Sequence, residues 1–233
     1  MASLDRSLIA GLGPFDSLTP EALDQVLARA RSARYAKDSS VFEENAEAHS
    51  FFLLLDGRIR VVRTTPHGDQ VIARYIGDGE LFGIAAAIGR TTYPATAMCA
   101  VDCVVLAWPT EAWADLAARF PSFAGSTFRT IGNRLQETQS RVVEMATEQV
   151  GQRVALAVLR LVRQAGRKTP EGLEIDFPIS RQDIAEMTGT TLHTVSRLLS
   201  AWEDEGIVKS ARQKITVIDP HRLMVISEHR AGA

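Results

Sequence analysis

The stretch at residues 179–208, ISRQDIAEMTGTTLHTVSRLLSAWEDEGIV, indicates how the C-terminal part of the chain folds. A short helical pattern from Arg181 to Thr188 ends at Gly189, because glycine turns tightly without steric cost. Thr190 or Thr191 then serves as the side-chain N-cap of a second helix. The apolar side of that helix carries Leu192, Val195, Leu198, Leu199 and Trp202. Two helices joined by a glycine turn are typical of a helix-turn-helix, whose second helix enters the major groove of DNA.

The opposite face of the second helix is polar and carries His193, Thr194, Ser196 and Arg197. A helical hairpin buried in a core is the alternative interpretation. Such a hairpin has no need for a histidine and an arginine beside its caps, so the pattern favours contact with DNA.

A β-hairpin is predicted directly after this helix pair. Residues 207–209 and 214–218 alternate as two short strands around a polar turn at 211–213. A hairpin in this place is a wing, which would contact DNA phosphates through Lys209, Arg212 and Lys214. Ordinary surface charge on a solvated hairpin remains an alternative for at least one of the three.

Length and composition limit the possible classes of protein. The chain has 233 residues, of which 45% are hydrophobic, so it can build two modest domains with their own cores. No apolar run has the length of a membrane span, and the N-terminus lacks the pattern of a signal peptide, so we expect a soluble, cytoplasmic protein. The net charge of −2 excludes a non-specific nucleic-acid coat, so DNA binding must depend on placed residues and on dimerisation.

The N-terminal part begins with a helix and continues with short strands. Thr19, Pro20 and Glu21 start a helix that is predicted to reach about Arg31. Glycine-containing turns, such as Asp56-Gly57, then separate the segments 41–42, 51–55, 59–63, 71–75, 95–98 and 104–108. Short strands broken this evenly predict a small antiparallel β-barrel or jelly roll, which makes the fold class α+β.

A long helix follows from Pro109, with a break near Phe120-Pro121. Its apolar positions alternate three and four apart at Phe128, Ile131, Leu135, Thr138, Val142 and Met145. This spacing predicts the seam of a two-stranded coiled coil and hence a homodimer. A helix that merely lies on its own barrel shows a similar stripe. The predicted domains are residues 1–108 for sensing, 109–147 for dimerisation and 148–233 for the winged helix-turn-helix.

The whole arrangement resembles the Crp/Fnr superfamily of bacterial transcription regulators. Its most specific parts are Gly57 after an apolar strand, GDGELFG at residues 77–83, and residues 181–206. With YPATA at residues 93–97, the recognition helix is similar to the nitric-oxide-responsive NnrR/DNR-like group. The resemblance implies a cyclic-nucleotide-binding-like first domain, RNA polymerase as a partner, and activation of transcription in denitrification or nitrogen-oxide metabolism.

The superfamily also implies a DNA code. His193, Ser196 and Arg197 match the positions that read base edges, and the implied site is an inverted repeat with TTG at one end and CAA at the other. Arg197 suits the O6 and N7 atoms of guanine. Many relatives carry glutamate at the position of His193, so readout at that base pair should be relaxed or shifted. The expected phosphate contacts are Arg181, Gln182, Thr190 and Thr191.

Departures from the superfamily argue against two effectors, with a cyclic-nucleotide-responsive regulator kept as a remote alternative. Cyclic-AMP-binding members hold the phosphate with an Arg-Ser pair and the ribose with a glutamate, whereas this chain has Tyr93-Pro94 and Ile84 there. Proline has neither an N–H nor a hydroxyl, and a buried phosphate without a cation is costly, so cyclic AMP is not expected. Oxygen-sensing members carry an N-terminal cysteine cluster. Cys99 and Cys103 are the only cysteines here, so no iron–sulfur cluster is expected.

The effector is therefore predicted to be neutral or to meet apolar walls, with haem b as the leading cofactor and nitric oxide as its signal. The expected walls are Phe82, Ile84, Ile88, Tyr93, Ala95 and Met98. Iron accepts His, Cys, Met or Tyr, so the ligand candidates are His49, His67, Tyr93, Met98, Cys99 and Cys103. A regulator without a ligand, controlled by its abundance, stays possible. An enzyme is not expected, because the barrel offers only two histidines and the chain has no nucleophile elbow, phosphate loop or HExxH.

Overall fold

The protein is described by a computed structural model that covers residues 4–228, so the outermost residues of the predicted domains, 1–3 and 229–233, lie outside the description. The chain divides into two compact units. The first extends to Arg63 and resumes from Arg74 to Gln136, and the second comprises residues 64–73 and everything from Glu137 onward.

The first unit is built on two four-stranded antiparallel sheets, although residues 64–73, which include the start of one strand, are grouped with the second unit. Their strands are β1 (Arg31–Tyr35), β2 (Ser40–Phe42), β3 (Ser50–Asp56), β4 (Ile59–Thr64), β5 (Gln70–Ile76), β6 (Leu81–Phe82), β7 (Thr96–Cys99) and β8 (Cys103–Pro109). One sheet has the order β1-β8-β3-β6 and the other β2-β7-β4-β5. This confirms the predicted jelly roll. The barrel alternative is corrected, because the two sheets remain separate and do not close on themselves.

The core of this unit lies on the inward faces of β3 and β8. Leu53 of β3 pairs with Leu106 of β8, and both side chains are fully buried. Helix α1 (Pro20–Leu27) is capped by Thr19 and buries Leu23 and Val26 in the same cluster. The backbone oxygen of Val26 accepts a hydrogen bond of 2.8 Å from Nε1 of Trp108. The helix is shorter than predicted, because the chain from Arg31 pairs with β8 as strand β1.

Gly57 joins β3 to β4 in a conformation that no other residue adopts easily. Its φ is 113°, and a Cβ there would lie 2.7 Å from the backbone oxygen of Asp102. Both the left-handed backbone and the close approach therefore require glycine.

Two helices follow the sheets, α2 (Ala112–Arg119) and α3 (Pro121–Thr147). The predicted break falls between them at Phe120, and Pro121 occupies the first position of α3, where its missing N–H costs nothing. Helix α3 has 27 residues and begins in the first unit and ends in the second.

The second unit contains the helix-turn-helix and a four-stranded sheet. Its elements are α4 (Val150–Ala165), β9 (Gly166–Thr169), β10 (Gly172–Ile175), α5 (Arg181–Thr188), α6 (Leu192–Asp204), β11 (Val208–Ala211), β12 (Lys214–Val217) and α7 (Pro220–Glu228). The predicted wing is β11 and β12, and β12 also pairs with β10, giving the order β11-β12-β10-β9. Helix α4 packs against α5 and α7. Within residues 4–228, no helix is both long enough and apolar enough to cross a membrane.

Candidate nucleic-acid interface and ligand cavity

The turn between α5 and α6 is fixed by local hydrogen bonds. Ser180 and Asp183 form a reciprocal capping box at the start of α5, with the Asp183 carboxylate accepting from the Ser180 N–H at 2.7 Å. Gly189 ends α5 with a φ of 61°. Thr191, one of the two predicted caps, accepts from the Thr194 N–H at 3.2 Å and starts α6. Ser180, Gly189 and Thr191 therefore fix where α5 begins, where it ends and where α6 begins.

Helix α6 has one buried side and one exposed side, as a recognition helix requires. Val195, Leu199 and Trp202 are buried. On the other side, His193 and Arg197 are exposed and Ser196 is partly exposed. The first apolar position differs from the prediction, because Leu192 is 42% exposed in the first turn and does not join the buried stripe. The three residues expected to read bases therefore lie where DNA can reach them.

Arg181, expected to contact phosphate, also connects the helix-turn-helix to the wing. Its guanidinium donates to the Ser210 hydroxyl at 2.8 Å and lies 3.7 Å from the Glu203 carboxylate. Its side chain is 36% exposed, so part of the guanidinium still faces solvent. Of the other candidates, Gln182 donates to Glu186, while Thr190 is partly exposed and next to the capping Thr191.

Two of the three cationic side chains predicted to contact phosphate from the wing already pair with acidic residues of this chain. Lys209 forms an ion pair of 2.7 Å with Glu171, and Lys214 lies 3.8 Å from Glu174. Hydrogen bonding from Arg167 lowers the pKa of Glu174, so this carboxylate stays charged. Arg212 is exposed at the tip of the hairpin and forms no ion pair with any residue in 4–228. Arg212 is the wing residue best placed to meet a phosphate.

Helix α3 exposes most of its predicted dimer seam. Phe128, Leu135, Val142 and Met145 are 47–65% exposed, and Thr138 is exposed as well. Val143, which was not predicted, adds to this apolar surface with 59% exposure. Ile131 differs from the others, because it is partly buried against the core of the first unit.

A cavity of about 230 Å³ lies within the first unit, between the β2–β7–β4–β5 sheet, β6 and α3. The expected wall residues Phe82, Ile84, Ile88 and Ala95 line it, together with Phe42, Val61, Ile76, Gly83, Ala85, Pro94 and Ile131. Tyr93 and Met98 lie elsewhere. The Tyr93 ring stacks on Phe42 at 3.8 Å and its hydroxyl donates to the Ser50 oxygen at 2.7 Å. The Met98 sulfur accepts from Arg60 at 3.0 Å, because neighbouring side chains on β7 point to opposite faces.

Two arginines complete the wall of this cavity, and neither was predicted from the sequence. Arg74 lies on β5 and Arg134 on α3, and each side chain is only 22% exposed. Both form ion pairs with Glu80, which also accepts from the Gly77 N–H at 2.9 Å. The premise that a buried phosphate would find no cation here is therefore wrong. Ile84 and Pro94 line the cavity, whereas Tyr93 does not.

The residues proposed to hold haem do not surround the cavity, and none of the candidates lines it. His49 is exposed and paired with Glu47, and His67 is exposed in the turn after β4. Burial raises the pKa of Tyr93, which disfavours the phenolate that iron would need. A hydrogen bond between the two thiols and burial raise the pKa of Cys99 far above its usual range, while the same bond lowers that of Cys103. The described residues therefore do not fit haem in this cavity.

Two protein-family models match this chain. Residues 32–120 match the model of a cyclic nucleotide-binding domain, and residues 152–226 match that of a Crp-like helix-turn-helix domain. A "Cyclic AMP receptor protein" from Thermus thermophilus is 30% identical over 195 residues, which is 84% of this chain and 87% of the relative. The "Fumarate and nitrate reduction regulatory protein" of Salmonella typhimurium is 24% identical over 207 residues, 89% and 82% of the two chains.

Solved structures share the fold. FixK2 from Bradyrhizobium japonicum superimposes with a TM-score of 0.77 at 22% identity, over 87% of this chain and 99% of that one. A mutant of CooA from Carboxydothermus hydrogenoformans gives a TM-score of 0.74 at 23% identity, over 88% and 90% of the two chains.

Proposed function

The chain belongs to the Crp/Fnr family of DNA-binding transcription regulators, and we propose that it acts as a homodimer that reads an inverted repeat in DNA. The single observation that carries this proposal is the two-sided α6, which buries Val195 and Leu199 and exposes His193 and Arg197. A helix of this kind, placed after a short first helix and before a wing, presents its exposed side chains to the major groove.

Arg197 is the residue we assign to base recognition. It is exposed on α6, and a guanidinium binds the O6 and N7 atoms of guanine with two hydrogen bonds, a contact worth about 1–3 kcal/mol against a wrong base. Ser196 would approach a neighbouring thymine, and His193 would give relaxed readout at its base pair, since a neutral imidazole both donates and accepts. Arg181 and Arg212 would contact phosphates and set the register.

Dimerisation is supported by the exposed apolar face of α3. Phe128, Leu135 and Val142 recur every seven residues and each is more than half exposed. This is the spacing of a seam between two parallel helices. Because a two-fold dimer presents two recognition helices, its site should hold two half-sites about one helical turn apart, roughly 34 Å. We propose the palindrome TTG…CAA.

The proposal is tested by a binding titration with the purified full chain on a TTG…CAA palindrome, a single half-site and a scrambled duplex. We expect one dimer per palindrome, weaker binding to the half-site, and the weakest binding to the scrambled sequence. Equal affinity for all three duplexes would contradict sequence-specific recognition.

The signal is proposed separately. Nitric oxide sensing through haem, a role in denitrification and activation through RNA polymerase rest on the resemblance alone and stay predictions. The position of the candidate iron ligands outside the cavity does not support the haem part. An absorption spectrum of the purified chain after haem loading tests it, because a bound haem gives a Soret band. A spectrum without that band would favour another effector or none.

A further inference from the structure

We propose that the cavity of the first unit binds a compact organic anion, with its charged group between Arg74 and Arg134 and an apolar body of one ring against the opposite wall. The proposal deepens the proposed function, since it names the chemical class that the sensing unit of this regulator would recognise. It rests on the position of the two arginines, on the carboxylate between them, and on the shape of the remaining wall.

The two arginines converge although 60 residues separate them along the chain. Arg134 is 3.5 Å from Oε2 of Glu80 and donates to the backbone oxygen of Leu81. Arg74 pairs with the same carboxylate oxygen and donates from Nε to the Tyr75 oxygen at 3.2 Å. Bonds to backbone oxygens hold both guanidinium groups in place, so the pair of cations does not depend on Glu80 alone for its position.

The charges around the cavity favour an anion. Among the described residues that line it, Arg74 and Arg134 are cationic and none is anionic. Glu80, which contacts both arginines but does not line the cavity, supplies one negative charge against two positive charges. Arginine forms strong paired hydrogen bonds with carboxylate or phosphate, and these strengthen where water is scarce. A neutral ligand would leave the excess positive charge uncompensated.

The rest of the wall sets the size and character of the ligand body. Phe42, Phe82, Ile84 and Ile88 are among its lining residues, so the part of a ligand away from the arginines meets apolar surface. A cavity of about 150 Å³ is known to accept benzene. The present cavity of about 230 Å³ therefore has room for one ring with a short acidic side chain.

Glu80 competes with the ligand's anionic group for the two arginines, although it does not itself line the cavity. Its Oε2 accepts from Arg74 and lies 3.5 Å from Arg134, and its Oε1 accepts from the Gly77 N–H at 2.9 Å. An incoming carboxylate or phosphate competes with Oε2 for the same donors. Removing the charge of Glu80 while keeping an acceptor for Gly77 should therefore strengthen anion binding, whereas removing either arginine should weaken it.

The test is isothermal titration of the full chain with 3-phenylpropanoate and phenylacetate, each compared with its neutral amide. We expect each anion to bind at least about tenfold tighter than its amide, as charge-assisted bonding implies. Arg74→Gln and Arg134→Gln should abolish this preference, and Glu80→Gln should increase the affinity for the anion. Arg63→Gln is the matched control, because Arg63 forms an ion pair with Glu44 on the surface and does not line the cavity.

The proposal is overturned by the absence of any preference for the anions in the unsubstituted chain, by a preference that survives both arginine substitutions, or by a Glu80→Gln variant that binds the anions more weakly. Binding of cyclic AMP more tightly than 3-phenylpropanoate also overturns it, since the body would then be larger than one ring. The same preparations are titrated with the TTG…CAA palindrome. Specific DNA binding without any anion preference refutes this inference alone, while absence of specific DNA binding refutes the proposed function.

Discussion

Replacing Leu135 by aspartate should separate the proposed dimer without unfolding the chain. Leu135 is 58% exposed on α3, at the centre of the apolar stripe. Fully burying a leucine side chain stabilises by about 1.5–3 kcal/mol, so the exposed part of Leu135 has about 1–2 kcal/mol per chain to gain from pairing. Aspartate loses this gain in both chains and places two like charges at the seam.

The expected size of the effect follows from these contributions. Two chains lose about 2–4 kcal/mol of apolar burial, and the desolvated carboxylates add to that loss, so the total is at least about 4 kcal/mol. This corresponds to an increase of about 1000-fold in the dimer dissociation constant. The free energy of unfolding of the isolated chain should change by no more than about 0.5 kcal/mol, because Leu135 lies largely in solvent there.

Sedimentation velocity over a range of concentrations measures this change, and DNA titration on the palindrome follows its consequence. Gln136→Asp is the control, because it adds the same charge to the neighbouring exposed position, outside the heptad stripe. We expect the control to remain dimeric. If Leu135→Asp is still a dimer at micromolar concentration and binds the palindrome with unchanged affinity, α3 does not form the seam and the dimer argument is refuted.

Four further predictions concern DNA reading and the folded state. Arg197→Ala should lose about 1–3 kcal/mol per half-site on the palindrome in a binding titration, and equal weakening on scrambled DNA would make Arg197 a phosphate contact. Arg181→Ala should lower the affinity for all duplexes alike. It should also lessen the salt dependence of binding, measured from 50 to 200 mM salt, by the equivalent of about one phosphate contact. Gly57→Ala should lower the thermal midpoint strongly, because its Cβ would lie 2.7 Å from a backbone oxygen at a φ of 113°; an unchanged midpoint would contradict this. Arg167→Gln should raise the pKa of Glu174 towards its usual value in an NMR titration. Because the pKa of Glu174 is depressed in the folded state, its ionised carboxylate stabilises the fold above the unfolded pKa. This stabilisation is lost as the pH falls through the folded pKa, so the stability of the variant should depend less on acid pH.

The helix-turn-helix could be predicted because its signals are local. Gly189 and Thr191 end and begin helices through their own backbone and side chain, and the stripe of Val195, Leu199 and Trp202 has the helical period. The start of α7 carries a comparable local signal in the sequence. Asp219 precedes Pro220, and its carboxylate accepts from the Arg222 N–H at 3.0 Å. Strand β9 had no such signal, because its sequence GRKT is polar and does not alternate.

The cavity wall was harder to predict because it depends on contacts between distant parts of the chain. Period-two alternation shows that Arg74 and Ile76 share a face of β5, but not which face is enclosed. Arg134 reaches the cavity only because α3 passes beside Leu81. Tyr93 illustrates the reverse error. Its place in the sequence suggested a wall residue, yet its ring stacks on Phe42 and its hydroxyl forms hydrogen bonds with the backbone of Ser50.

One helix connects the cavity to the proposed seam. On α3, Ile131 and Arg134 line the cavity, while Phe128 and Leu135 are exposed on the apolar stripe. Leu135 follows Arg134 directly and lies four residues after Ile131, which places it one turn along the same helix. An anion that displaces Glu80 from Arg134 therefore acts on the segment that would pair with the second chain. Because coupling between two binding events is reciprocal, any tightening of the dimer by the anion must equal the tightening of anion binding by dimerisation.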